Sequence, residues 1–167
     1  MQIPRSIYVA NFTLTASIGV VFGLIASLQD ELGFADGVLG LIAASAFFSA
    51  VVAQLLLAPL ADRGHTKILM AGAIVIAALG SLWFAVASSA WELILARVLT
   101  GLGIGAFAPA ARAVVANADT SRAGERLGRL TAVETSGFVA GPVVGAFINE
   151  IWGLKAPFLT FACALIL

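Results

Sequence analysis

The chain has 167 residues, 61% of them hydrophobic and 11% charged, with no net formal charge; soluble domains are about 45–50% apolar and about 25% charged. That apolar surplus is too large for one aqueous core to hide, which excludes an ordinary water-soluble domain and makes a bilayer the fitting solvent. The zero balance gives no footing for nucleic acid or an acidic ligand, and the lone Cys163 has neither a disulfide partner nor neighbouring metal ligands.

Apolar runs alternate with short polar joints, and spans are predicted at about residues 7–28, 38–61, 68–88, 91–112, 129–148 and 156–167. The first run, of about 22 residues, exceeds the about 7–15 of a signal-peptide core and reads as a retained span. It carries Asn11, Thr13, Thr15 and Ser17. Polar groups of this kind line a cavity, bond to a neighbouring helix, or bond back to their own backbone. The second span holds Gln54 and ends in Ala58-Pro59-Leu60-Ala61-Asp62-Arg63, with Gly64-His65-Thr66-Lys67 as the joint. Asp62, at the membrane edge, is placed to cap a helix N-terminus.

The fourth span contains Arg97, followed by Gly101, Gly103 and Gly105. An arginine inside a span costs about 2.5–3.5 kcal/mol on insertion scales, so it faces a cavity or a partner, or snorkels outward. Pro109 is expected to bend this span near its end. In the polar stretch 113–128, Asp119 or Thr120 is placed to cap a helix running on through Arg129, with Glu125 and Arg129 as a favourable i,i+4 pair.

The fifth span repeats glycine every fourth residue at Gly137, Gly141 and Gly145, with Pro142 beside the middle one. Steps of four drift only about 40° around a helix, so the glycines form one stripe that another helix can approach closely. Pro142 removes a backbone bond and permits a bend. Glu134 lies inside the same span, where an acid is a candidate proton carrier or a partner for Arg112 or Arg129. The sixth run covers about 12 residues, short of a crossing, and the sequence reads as truncated there.

Arg5, Arg63, Lys67, Arg112, Arg122, Arg126 and Arg129 fall at the N-terminus and in the even-numbered joints, whereas Lys155 alone falls in an odd one. Basic residues are retained on the cytoplasmic side, so the N-terminus and the joints after spans two and four are predicted to be cytoplasmic. Trp83, Trp91 and Trp152 cluster near the predicted outer ends and Tyr8 near the inner end of span one, as an aromatic belt would.

The joint Leu60-Ala61-Asp62-Arg63-Gly64 resembles the loop signature of the major facilitator superfamily, with Ala58 in place of its first glycine and Thr66 in place of a basic residue. Arg97 with Gly101, Gly103 and Gly105 resembles that family's fourth-helix motif, and Gly137 to Gly145 resembles its fifth-helix antiporter motif, ending in Ala146 where a glycine is usual. The resemblance covers nearly the whole chain. It implies an all-α integral membrane protein: residues 1–167 as a six-helix bundle, the N-terminal half of a twelve-helix transporter, with the sixth helix truncated and the second half absent. It further implies a proton-coupled antiporter exporting a small organic solute from a cell membrane. In that reading Arg97 assists proton coupling, and Asp62, Arg63 and Lys67 gate the inner side against the missing C-terminal half. The glycine stripe guards against leak, and Asn11, Gln54 and Arg97 face the cavity. No motif of the family covers Glu134.

The expected partners are a small-molecule substrate, protons and the lipid bilayer, with no nucleic acid, cofactor or metal. Two other readings stay open: a symporter or uniporter of a sugar or metabolite, and a six-helix membrane protein that carries no solute. A membrane-embedded enzyme has no support, since the one histidine sits in a joint and Cys163 lacks a base.

Overall fold

The computed structural model describes residues 3–167, and within them every regular element is helical. The helices are α1 (Arg5–Gly23), α2 (Ile25–Leu32), α3 (Asp36–Asp62), α4 (Thr66–Val86), α5 (Ala90–Asn117), α6 (Ala123–Trp152) and α7 (Ala156–Ile166), with a 3₁₀ turn at Thr120–Arg122 before α6. Five segments are long and apolar enough to cross a membrane: α1, α3, α4, α5, and α6 with its preceding turn. α7 is shorter.

The first predicted span differs from expectation: it is two helices, broken at Leu24 (φ −115°, ψ 5°), not one run over 7–28. The break follows Gly23, whose backbone lies directly against the Pro142 carbonyl of α6. α1 ends where that contact is made, and the fully buried Leu24 turns the chain into α2. Gly33, at φ +66°, then closes α2 and returns its N–H to the Gln29 carbonyl at 2.8 Å.

The end of α3 shows why its joint has its sequence. Gly64 (φ +88°) donates to the Ala61 carbonyl at 3.1 Å, and His65 donates to the Leu60 carbonyl at 3.2 Å. This paired closure requires a left-handed residue, which glycine adopts without penalty. It also corrects the expected role of Asp62. Residues 63–65 are consumed in the closure, so Asp62 belongs to the last turn of α3, at the negative end of that helix dipole, and does not cap α4. α5 opens with Ser89 and Glu92 instead: Oε2 of Glu92 accepts from the Ser89 N–H (3.1 Å), the Ser89 hydroxyl (2.6 Å) and the Ser88 N–H (3.2 Å).

α5 packs along both α3 and α4, α1 packs along α6, and α7 lies against α4. Small residues make these contacts. Gly101 and Gly105 sit against Ala46 and Ala50 of α3, while Gly103 sits against Ala73 and Ala77 of α4. Phe84, Phe107 and Phe158 are buried, but many other large apolar side chains point outward: Phe48 and Ile68 are each 74% exposed and Leu55 is 73% exposed. That inversion suits a bilayer, where lipid receives the bulky side chains and close helix approach relies on small ones.

Candidate functional site

Between α1, α3, α5 and α6 lies a cavity of ≈ 310 Å³, walled by Thr15 and Ile18 of α1, Phe47 and Gln54 of α3, and Glu134 and Phe138 of α6, among others. Its wall is mostly apolar with a few polar groups, the usual composition of a small-molecule site. Gln54 has no hydrogen-bond partner among the described residues and so is available to a ligand.

Glu134 is held from α5: Nη2 of Arg112 donates to its Oε1 at 3.4 Å and its Oε2 at 3.3 Å. Of the two partners open to Glu134 in the sequence, the structure selects Arg112. Arg129 instead lays its guanidinium over the Tyr8 ring, 5.2 Å from the centroid. The expected Glu125–Arg129 pair therefore does not form. The stacking draws the arginine toward α1 and away from its i−4 neighbour.

Phe47 and Phe138 of the cavity wall meet Phe22 of α1, which lies behind that wall, in a cluster of three rings from three helices. Phe22, Phe47 and Phe138 have ring centroids 5.8, 5.9 and 6.0 Å apart in their three pairings, at tilted or edge-on angles. Offset geometries of this kind are the favoured ones for aromatic rings. Gln54 and Glu134 lie toward the opposite end, so the site has an aromatic cap and a polar floor.

Arg97 does not snorkel. It is 2% exposed, and its Nη2 donates to the Ile18 carbonyl at 3.1 Å while Nε has no partner. Among the described residues it forms no ion pair. It reaches the cavity only through Ile18, whose backbone it holds and whose side chain lines the wall. Asn11 is also buried, but it lies off the cavity wall and its Nδ2 donates to the Leu130 carbonyl at 3.3 Å, tying α1 to α6. Thr13, Thr15 and Ser17 bond back to carbonyls of α1 itself. Thr15 nonetheless lines the cavity.

The glycine stripe is spent inside this bundle. A side-chain carbon on Gly137 would collide with Thr15 and the Phe12 carbonyl, on Gly141 with the Ala16 carbonyl, and on Gly145 with Val20 at 2.6 Å. α1 answers with glycines the sequence reading did not single out, Gly19 against Phe138 and Gly23 against Pro142. Their spacing of four was the available signal. Pro142 thus packs against Gly19 and Gly23 of α1 within α6, and Pro109 lies within α5.

Asp62, Arg63 and Lys67 are exposed and make no ion pair among the described residues. At the start of α6, Asp119 accepts from the Ser121 N–H (3.2 Å) and hydroxyl (2.6 Å) and holds Arg126 at 3.4 Å. The Ser121 hydroxyl, with Arg126 and Arg122 nearby, keeps the Asp119 carboxyl below the usual carboxylate range.

The sequence profile described as Major Facilitator Superfamily matches residues 7–167. Among curated relatives, the quinolone resistance protein NorA of Staphylococcus aureus (strain MRSA252) is 28% identical over 146 residues, 87% of this chain and 38% of that protein. The multidrug resistance protein MdtG of Klebsiella pneumoniae (strain 342) is 31% identical over 127 residues, 75% of this chain and 31% of that protein. The matched stretch thus covers less than half the length of either relative.

Proposed function

The chain belongs to the Major Facilitator Superfamily, and on that premise we propose that it forms the six-helix N-terminal half of a secondary transporter exporting a small organic solute in exchange for protons. The observation that carries this reading is Glu134, a carboxylate on the cavity wall held at 3.3 Å by Arg112. A carboxylate at that place has two competing uses, binding a proton or binding the cationic part of a solute, and competition for one group is the simplest basis for exchange. Arg97 fixes the α1 wall through Ile18 and is the second group proposed to act in coupling. The names of NorA, a quinolone resistance protein, and MdtG, a multidrug resistance protein, support a drug-like solute, and the aromatic cap with its apolar wall suits a flat aromatic one.

Transport would proceed by rocking of this half against a second one. The α1–α6 pair, locked by its glycines, moves as one wall in that motion. Asp62, Arg63 and Lys67 are unpaired and exposed, which suits a latch closed by a partner from the second half. In this proposal the protein lies in a plasma or inner membrane with its N-terminus and α3–α4 joint in the cytoplasm, a reading that the basic residues at that end support.

The test is flux in vesicles reconstituted with the full-length protein. With the interior acidic, a quinolone should accumulate as protons leave, and a protonophore should abolish the accumulation. Glu134→Gln should remove the gradient dependence while leaving passive exchange. Solute and proton moving in the same direction would overturn exchange in favour of symport.

A further inference from the structure

A second cavity lies where α1 and α6 begin, of ≈ 440 Å³ and distinct from the transport site. Arg5 and Tyr8 of α1 line it together with Arg122 of the 3₁₀ turn and Glu125, Arg126 and Arg129 at the start of α6. Four guanidinium groups therefore face one carboxylate. Arg5 and Arg122 are exposed and make no ion pair among the described residues. Arg126 gives Nη2 to Asp119 at 3.4 Å, but its Nη1 is buried and has no hydrogen-bond partner among the described residues. Buried donors are ordinarily satisfied, so this nitrogen marks where an acceptor belongs. Arg129 is pre-positioned as well. Its guanidinium carbon lies over the Tyr8 ring, 5.2 Å from the centroid, and among the described residues it makes no ion pair that would compete with an anion.

The depth of the cavity says which anion it meets. Arg129 lies about 35 Å along α6 from Trp152 at 1.5 Å per residue. That distance exceeds the about 30 Å of hydrocarbon and falls within the about 40–45 Å that includes the headgroups. Basic pockets between helices at this level suit phosphate-bearing lipids. We infer that this cavity binds the headgroup of an anionic phospholipid, its phosphate oxygens accepting from Arg126 and Arg129 while Arg5 and Arg122 supply further positive potential. Glu125 on the wall and Asp119, paired with Arg126 from outside it, are the opposing charges, and the four arginines still leave two positive charges in excess. The inference needs only that the chain spans a membrane and is independent of what it transports.

The test uses the full-length protein in phosphatidylcholine nanodiscs with and without cardiolipin, read by lipid retention in native mass spectrometry. Cardiolipin should be retained by the wild type. Each of Arg126→Gln and Arg129→Gln should weaken its apparent affinity about five-fold, the usual weight of one basic residue at a membrane surface. Arg5→Gln with Arg122→Gln, at exposed positions that cannot compromise folding through packing, should weaken it by a similar factor per residue. In detergent without anionic lipid, inorganic pyrophosphate should not protect the protein against thermal unfolding at low millimolar concentration. Protection by pyrophosphate equal to that by cardiolipin would overturn the lipid assignment in favour of a soluble phosphate compound. Equal retention of cardiolipin by all the variants would overturn the site. Neither readout involves solute flux, so failure here is distinguishable from failure of the transporter reading.

Discussion

Replacing Arg97 by methionine removes a guanidinium that is nearly fully buried, holds one backbone carbonyl, and has a second nitrogen without a partner. Desolvating such a cation costs more than one hydrogen bond returns, and an apolar side chain of similar length relieves that cost. Arg97→Met is therefore expected to leave the folded protein as stable as before or up to about 2 kcal/mol more stable. The pH-gradient dependence of transport should be lost at the same time. Thermal unfolding in detergent beside gradient-driven flux in vesicles checks both halves of the expectation. A large drop in unfolding temperature with coupling intact would make Arg97 a structural tie between α5 and α1. The depth of this arginine was legible in the sequence, because a charge five or six residues inside an apolar run is visible without coordinates. Its partner was not, because a backbone carbonyl on another helix leaves no trace in residue identity.

Among the elements, the α1–α6 pair carries the sharpest packing constraint. A methyl on Gly141 would meet the Ala16 carbonyl oxygen well inside contact distance, and the carbonyl carbon at 3.0 Å. Backbone cannot yield as a flexible side chain does, so Gly141→Ala is expected to destabilise by about 1–3 kcal/mol. Gly72, in the interior of α4, has nothing within 4 Å of the same added atom. Gly72→Ala should accordingly stabilise by about 0.5–1 kcal/mol through lost unfolded-state entropy. Thermal unfolding of the two variants in one detergent makes the comparison, and equal shifts would mean that the stripe is not the seam. The stripe itself was readable because a spacing of four belongs to one helix. That α1 fills it was not, since helix pairing depends on the rotation of both partners. The same holds for Phe22, Phe47 and Phe138, which are unremarkable in three separate apolar runs and meet only after three helices are oriented. The break at Leu24 was hidden for another reason: the stretch around it, residues 18–26, has no polar side chain and offers no contrast by which periodicity could mark an interruption.

At the scale of the whole molecule, the direction of the proposed transport depends on which end of the bundle faces the cytoplasm. Arg63 and Lys67 flank the α3–α4 joint and the four arginines of the second cavity gather at the same end, whereas the α4–α5 joint, Ala87–Ser89, carries no basic residue. If basic residues are retained on the inner side, the α3–α4 joint is expected in the cytoplasm and the α4–α5 joint outside. With the exposed Cys163 replaced by serine, single cysteines at His65→Cys and Ser88→Cys separate the two orientations. On intact cells a membrane-impermeant maleimide should label Ser88→Cys, and His65→Cys should react only once the membrane is opened. Labelling of His65→Cys from outside would invert the protein. The outcome reaches the transport site directly. In the expected orientation the phenylalanine cap lies on the outer side of the cavity, and Gln54 and Glu134 lie on the inner side. Under the export proposed above, a solute entering from the cytoplasm would meet the carboxylate first and would leave only when Phe22, Phe47 and Phe138 part, which would make the aromatic contact the outer gate. Inverted, the same three rings would bar entry from the cytoplasm, and exchange in the export direction would have to begin with the cap open.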